Sequence, residues 1–123
     1  MEGEIIRQTA PTLLVGDVWV NIWSDHYPRA DFLQVLKISP TGKTVICIRI
    51  DKEQVDVDTV RPNYMRYGEQ FRMDVKRSKG VLVLRGTYPG YGGLTRFGQF
   101  WKYEGGEVYE PPISLHPWSV LDA

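Results

Sequence analysis

Apolar and polar residues alternate along much of this chain, which is the pattern of half-buried β-strands. Residues 17–23 show it most clearly, because aliphatic side chains occupy every second position. Those positions are Val18, Val20 and Ile22. We predict that this aliphatic face packs into the core. The opposite face carries Trp19 and Trp23, so we expect another element or a binding partner to cover it.

A turn separates the next two predicted strands, residues 31–38 and 44–50. Pro40 presets φ for a turn, and Gly42 tolerates the left-handed conformation. Both flanking segments are rich in apolar residues, and the second is rich in β-branched ones. The pattern therefore predicts a β-hairpin.

The second half of the chain carries both weak and strong strand signals. Residues 51–65 predict an edge strand that ends before Arg61 and Pro62. Residues 70–77 alternate again and predict a half-buried strand. After a turn, the apolar run 81–84 predicts a buried strand.

The C-terminal part predicts one more hairpin and then irregular structure. Residues 100–103 and 107–109 flank Glu-Gly-Gly, which is suited to a turn. Residues 111–123 predict a strap that lies on the body of the domain, with Trp118 packed against it. Residues 1–12 are expected to form an N-terminal arm.

These elements predict an all-β fold with six to seven short strands. Tight turns between short strands favour a small antiparallel barrel or rolled sheet, SH3-like or similar. A two-layer sandwich is the alternative. Parallel α/β folds are excluded, because the chain has no room for crossover helices. At 123 residues, we expect a single domain over 1–123.

Composition predicts a domain that needs no disulfide and no bound group to fold. The single cysteine, Cys47, lies in an apolar run, where a free thiol acts as a small core hydrophobe. No segment approaches the roughly 20 apolar residues that span a bilayer. The acidic start lacks the features of a signal peptide, so we expect the cytoplasm as compartment and no membrane partner.

Charge is segregated along the chain although the formal net charge is zero. Residues 1–60 carry a net charge of −3, residues 61–102 one of +7, and residues 103–123 one of −4. Such asymmetry indicates an anionic partner. The alternative is that the acidic tail folds back over a basic sheet and neutralises it, and both interpretations remain open.

One inter-strand segment concentrates groups that can perform acid–base chemistry. Asp25, His26, Arg29 and Asp31 occur there together with Tyr27. A histidine beside a carboxylate can act as a general base, which gives a hydrolase hypothesis with Asp25 or Asp31 as the carboxylate. The alternative is an ordinary turn or a contact surface. We expect no metal or cofactor, because His26 and His116 with one cysteine give no ligand pattern.

A glycine-rich segment, residues 85–96, offers a second candidate site. Tyr88 and Tyr91 lie between Arg85 and Arg96. Aromatic faces in a positive field bind single-stranded nucleic acid by stacking, at about 1–3 kcal/mol per base. The alternative is a loop between strands whose tyrosines cover the edge of the core.

Large aromatic residues outside clear core positions form the third candidate feature. They are Trp19, Trp23, Tyr27, Tyr64, Tyr67, Trp101 and Trp118. Tryptophan, tyrosine and arginine are enriched at the energetic centres of protein interfaces. This feature is as compatible with a protein partner as with a nucleic acid.

Two parts of the chain show a resemblance to a known group. Val-Gly-Asp-Val-Trp at 15–19, Trp23 and Asp-Phe-Leu-Gln-Val at 31–35 form the first part, and residues 100–106 with Tyr109 the second. The chain resembles short proteins encoded in phages and plasmids. That group usually reads Trp-Gly-Tyr-Asp-Gln-Thr-Asn where this chain has Trp-Ser-Asp-His-Tyr-Pro-Arg. The resemblance implies a mobile-element origin and a β-rich fold, but no mechanism.

The combined expectation is a non-enzymatic, macromolecule-binding accessory protein that acts by protein–protein interaction, including inhibition of a host or defence factor. A host protein or a second copy is the expected partner. The sequence pI of about 6.7 is below that of typical nucleic-acid-binding domains, so nucleic-acid binding through residues 61–102 is the alternative. The hydrolase is the second alternative. The predicted binding residues are Trp19, Trp23, His26, Tyr27, Arg29, Arg85, Tyr88, Tyr91, Arg96 and Trp101.

Overall fold

The computed structural model describes residues 12–90 and 93–111, and of Asp25 it describes the backbone alone. Nearly all of the predicted N-terminal arm and of the predicted C-terminal strap lie outside the described residues. The predictions for Tyr91, His116 and Trp118 lie outside them as well.

Seven antiparallel strands make up most of the described chain. They are β1 (Val18–Asp25), β2 (Tyr27–Ile38), β3 (Thr44–Asp56), β4 (Thr59–Ser78), β5 (Val81–Pro89), β6 (Thr95–Lys102) and β7 (Val108–Tyr109). Strands β1 to β6 pair in chain order and β6 pairs back with β1, which closes a barrel. Strand β7 adds to β4 outside it. The predicted all-β small antiparallel barrel is confirmed, although β4, with 20 residues, is far from short.

The barrel interior holds the main apolar core. Its fully buried members are Trp19, Leu33, Val35, Val45, Cys47, Met73, Leu84, Tyr88 and Phe100. Trp19 has no exposed surface, so the prediction that it belongs to a contact face is wrong. The reason is volume, because the interior of a small barrel is filled by side chains and an indole is the largest of them.

A second cluster lies on the outside of the barrel. Its buried members are Val18, Val20, Ala30, Phe32, Ile50 and Val60. Tyr103 and Val108 pack over it, and the Tyr103 ring meets Phe32 edge-on at 5.7 Å between centroids. The aliphatic face of β1 is therefore buried in part, but from outside the barrel, and Ile22 at its far end is 59% exposed.

The predicted last hairpin is wrong. Strand β7 pairs with Thr59 and Val60 of β4 and not with β6. After β6, Gly105 and Gly106 take positive φ angles of 101° and 85°, which turn the chain across the outer cluster. Burial of apolar surface under this segment decides the pairing.

Strand β4 also continues where an end was predicted. Pro62 is paired with Lys52 inside the β3–β4 ladder, so the strand does not stop before Arg61. A register shift between Ile50 and Lys52 makes this possible, because a bulge tolerates a residue without an N–H. The turns predicted at Gly42 and before Val81 are confirmed: Gly42 has φ 72°, and Gly80 has φ 81°.

Cys47 is buried in the core as predicted, and burial raises the pKa of its thiol to about 12. Because the raised pKa belongs to the folded state, the protonated Cys47 thiol stabilises the fold fully below its ordinary pKa of 9.0. This stabilisation is lost as pH rises through about 12. In Cys47→Ala we expect the free energy of unfolding to fall less steeply over that range, by up to about 1.4 kcal/mol per pH unit. Denaturant titrations at each pH measure it, and parallel curves would contradict it.

Candidate functional site

A polar network fills one end of the barrel interior, and Asp31 of β2 is its centre. The Oδ2 atom of Asp31 accepts hydrogen bonds from the Tyr88 hydroxyl at 2.6 Å and from Trp23 Nε1 at 2.8 Å. Its Oδ1 atom accepts one from the Arg49 guanidinium at 3.0 Å. A single carboxylate, 3% exposed, thus joins side chains of β1, β3 and β5.

Arg49 balances the charge of this buried carboxylate. The arginine is 5% exposed, and it also donates to the backbone carbonyl of Pro89. Its guanidinium carbon lies 5.4 Å from the ring centroids of both Tyr67 and Tyr88. Its Nε has no hydrogen-bond partner among the described residues. Because the pair is buried, each charge depends on the other.

Tyr88 connects this ion pair to Asn21. The hydroxyl of Tyr88 accepts a hydrogen bond from Asn21 Nδ2 at 3.1 Å while it donates to Asp31. Burial raises the pKa of Tyr88, and the hydrogen bond to Asp31 raises it further. Tyr88 therefore stays protonated and keeps its role as donor.

Gly98 of β6 leaves just enough space for these side chains. A Cβ atom there would lie 2.7 Å from Asn21 Nδ2 and 2.8 Å from Tyr88 Cε1. The network is closely packed and its carboxylate is shared by three donors. We interpret it as the element that closes this end of the barrel and not as a ligand site.

The stacking hypothesis for Tyr88 is wrong. The glycine-rich segment is a hairpin and not a long loop, because β5 continues to Pro89 and β6 begins at Thr95. Tyr88 points inward and is 1% exposed, so no base can stack on it. Tyr91 lies outside the described residues. Arg85 binds the Gln99 side chain through Nε and NH2 at 2.9 and 2.6 Å.

Trp23 is half-buried and points inward, so the two indoles of β1 do not form a contact face. The Arg96 guanidinium carbon lies 3.5 Å from the ring centroid of Trp23, and Asp31 takes its N–H. The side chains of Trp19 and Trp23 follow the inward positions of β1. Sequence alternation separated the two faces correctly and placed Val18 and Val20 in a core, but it did not predict that the indole face fills the barrel interior.

The structure does not bring His26 and Asp31 together. His26 is exposed in the β1–β2 turn, with φ 71°, whereas Asp31 lies five residues along, inside the barrel. At about 3.3 Å per residue, their backbones are on the order of 15 Å apart. The hydrolase hypothesis with Asp31 is therefore wrong, and the Asp25 side chain lies outside the described part of the chain.

Tyr27 and Arg29 contact each other, and Arg29 also contacts the C-terminal segment. Arg29 NH1 donates to the Tyr27 hydroxyl at 2.7 Å, and Arg29 Nε lies 3.8 Å from the Glu110 carboxylate. Glu110 also accepts hydrogen bonds from the Ala30 N–H at 2.7 Å and from Lys52 Nζ at 2.6 Å. These contacts fix the segment against the barrel, so the proximity of these side chains has a structural explanation.

An exposed apolar surface does occur on β1 and β6, which we call the β1–β6 patch. It consists of Ile22, Phe97 and Trp101, exposed by 59%, 69% and 42%. All three point outward, because their neighbours Asn21, Gly98 and Phe100 face the interior. Trp101 is opposite Val20 in the pairing of the two strands. Among the predicted binding residues that the structure describes, Trp101 is the one that lies in an exposed apolar surface.

The described part of the acidic tail does not neutralise the basic segment. Glu110 pairs with Lys52, and Glu107 accepts a hydrogen bond from Thr59 at 2.8 Å, so both contact residues before position 61. Arg72 and Lys76 lie on the outer face of β4, and neither forms an ion pair among the described residues. Arg72 and Lys76 are both exposed.

Sequence analysis missed five residues of the network and the patch, which are Asn21, Ile22, Arg49, Phe97 and Gly98. Ile22 was assigned to the core, and Phe97 stood beside a segment interpreted as a loop. Arg49 had one available signal, since a charged residue at an inward position of an apolar strand indicates a buried partner. The role of Gly98 depends on contacts between strands that are far apart in sequence.

Within residues 12–90 and 93–111, no three His, Cys, Asp or Glu side chains are placed to hold a metal ion. The same residues contain no helix long and apolar enough to cross a membrane. Comparison of the chain with protein-family models, curated proteins and solved structures found no match in any of the three. The resemblance to phage and plasmid proteins stays a prediction.

Proposed function

We propose that this chain is a non-enzymatic binding domain that holds a partner protein on the β1–β6 patch. The observation that carries the proposal is the exposure of Ile22, Phe97 and Trp101 on adjacent strands. Exposed apolar surface of this kind marks interaction sites, and tryptophan is enriched at their energetic centres. An accessory role encoded by a mobile element agrees with the sequence resemblance.

A protein fits the patch better than a nucleic acid does. Phe97 and Trp101 offer rings, but Ile22 is aliphatic and offers no face on which a base can stack. Arg85 lies beside the patch, and Gln99 holds its guanidinium in one orientation, in which it can pair with a carboxylate at the rim of a protein interface. The formal net charge of zero also disfavours general attraction to polyanions.

We expect Phe97→Ser to weaken capture of the partner by at least about 30-fold, which corresponds to an interface anchor worth about 2 kcal/mol. The partner is first recovered from lysate on the immobilised chain and identified by mass spectrometry, and its affinity is then measured by calorimetry. Phe97 is exposed, so the melting temperature should not change.

Tyr109→Ser is the matched control, because Tyr109 is 54% exposed but lies on β7 and outside the patch. It should leave the affinity unchanged. Equal capture by the unmodified chain and Phe97→Ser would overturn the proposal. The proposal would also be overturned if the chain captured nucleic acid in place of protein and this capture were lost on nuclease treatment and at high salt.

A further inference from the structure

An open groove of about 620 Å³ lies on the opposite part of the barrel, across β2, β3 and β4. It is lined by Leu36, Lys37, Ile46, Gln70, Phe71 and Arg72. Strand pairing places Lys37 opposite Ile46 and Ile46 opposite Arg72, so these three form one row across the sheet. The floor is apolar and the two ends of the row are basic.

A bulge in β2 creates the groove. The β2–β3 register shifts between Val35 and Lys37, which leaves Leu36 without a partner in β3. Leu36 and Ile46 are each partly exposed there and form the apolar floor, and Phe71, which packs towards the core against Tyr88, lines its edge. Lys37 and Arg72 form no ion pair among the described residues. A complementary occupant combines exposed apolar side chains with a carboxylate.

The tip of the β3–β4 hairpin has this composition. Val55 and Val57 are 40% and 56% exposed, and Asp56 lies between them. The tip is ordered by its own hydrogen bonds, since Gln54 Nε2 donates to the Val57 carbonyl at 3.1 Å and Val57 N–H to Asp56 at 2.7 Å. A preformed tip loses little conformational entropy when it binds.

The tip cannot reach the groove of its own molecule. Ile46 and Asp56 lie on the same strand, β3, ten residues apart, which is on the order of 30 Å. The hairpin pairs β3 with β4 along that length and so holds the two sites apart. A second copy is therefore the occupant that the charges and the spacing favour.

We propose that the hairpin tip of one copy docks in the β2–β3–β4 groove of another. Val55 and Val57 contact the apolar floor, and Asp56 faces Arg72 at one basic end of the row. The contact is heterologous, head to tail, so copies form a closed ring or an open filament. It uses a surface distinct from the β1–β6 patch.

Paired charge reversal tests this contact. Arg72→Glu and Asp56→Lys should each weaken self-association at least about tenfold, because each places like charges face to face. The double variant Arg72→Glu/Asp56→Lys has the same formal net charge as the unmodified chain and should regain association. Light scattering and sedimentation velocity at low salt measure the mass over a range of protein concentrations.

Further variants separate the groove contact from association through another surface of the barrel. Lys79→Glu changes an exposed base outside the groove and should leave association unchanged. Val57→Ser should weaken self-association through loss of the apolar contact alone. Phe97→Ser should leave self-association intact, because Phe97 belongs to the β1–β6 patch.

A chain that is monomeric at low salt at every concentration would overturn the proposal, as would a double variant that does not regain association. Binding of a single-stranded oligonucleotide that Arg72→Glu abolishes, without self-association, would make the occupant a polyanion and would equally overturn it. Association that persists in 1 M salt, where the Debye length is about 3 Å, would overturn the assigned charge contacts.

Discussion

Arg49→Met is expected to lower the free energy of unfolding by about 3–5 kcal/mol, because it leaves the Asp31 carboxylate buried without its counter-charge. Asp31→Asn should lower the free energy of unfolding by a similar amount, because it leaves the Arg49 guanidinium buried without its counter-charge. The pair is buried on both sides, with side-chain exposures of 6% and 4%, so water cannot replace either partner. Equilibrium unfolding in urea, followed by tryptophan fluorescence, measures the loss.

The double variant Asp31→Asn/Arg49→Met should lose less than the sum of the single losses, by about 1.5–3 kcal/mol. Asparagine still accepts from Tyr88 or Trp23, and no uncompensated charge remains. Glu53→Gln is the matched control, since Glu53 pairs with Arg61 at 3.5 Å on the surface. It should change stability by less than about 0.5 kcal/mol. Additive single losses would show that the two charges do not depend on each other.

Gly98→Ala is expected to destabilise the barrel by about 2–4 kcal/mol, because its methyl group overpacks the space between two buried side chains. The new Cβ atom would meet Asn21 Nδ2 at 2.7 Å and Tyr88 Cε1 at 2.8 Å. Either side chain that moves away breaks the Asn21–Tyr88 hydrogen bond inside the barrel. Thermal and urea unfolding measure the effect.

The cost of Gly98→Ala should fall by at least about 1 kcal/mol in an Asn21→Ala background, because one of the two obstructing atoms is then absent. Thr87→Ala is the control, since Thr87 is exposed on the neighbouring strand opposite Phe97. It should stay within about 0.5 kcal/mol of the unmodified chain. A similarly small effect of Gly98→Ala would contradict the close packing of the network.

Local patterns predicted the strands and turns well where neighbouring residues decide them. The turn at Pro40 and Gly42 was correct because φ preferences act within a few residues. Alternation over residues 70–77 was correct for the same reason, and Met73 is buried as expected. Predictions failed where partners are distant, as for β7, whose pairing with β4 depends on residues about 50 positions away.

The candidate site was predicted less well, because exposure is a property of the whole barrel. Trp101 was expected at a binding surface and is exposed, whereas Tyr88 was expected there and is in the core. Both are aromatic residues close to glycines and bases, so their sequence contexts do not distinguish them. Their positions in the strands distinguish them, because Tyr88 is in phase with the buried Leu84, whereas Trp101 directly follows the buried Phe100.

By itself, the sequence determined that this protein is an antiparallel β domain with a buried thiol and segregated charges. Period-two alternation, turn residues and composition are local or additive properties, and they need no knowledge of what packs where. Tertiary structure alone decided which face of β1 points inward, since both of its faces carry apolar residues. It also decided that Asp31 lies in the barrel interior, where it binds Arg49, Tyr88 and Trp23. The exposed patch of Ile22, Phe97 and Trp101 is likewise a result of tertiary structure. A closed barrel has an inside of limited volume, and only its closure determines which large side chains fill it.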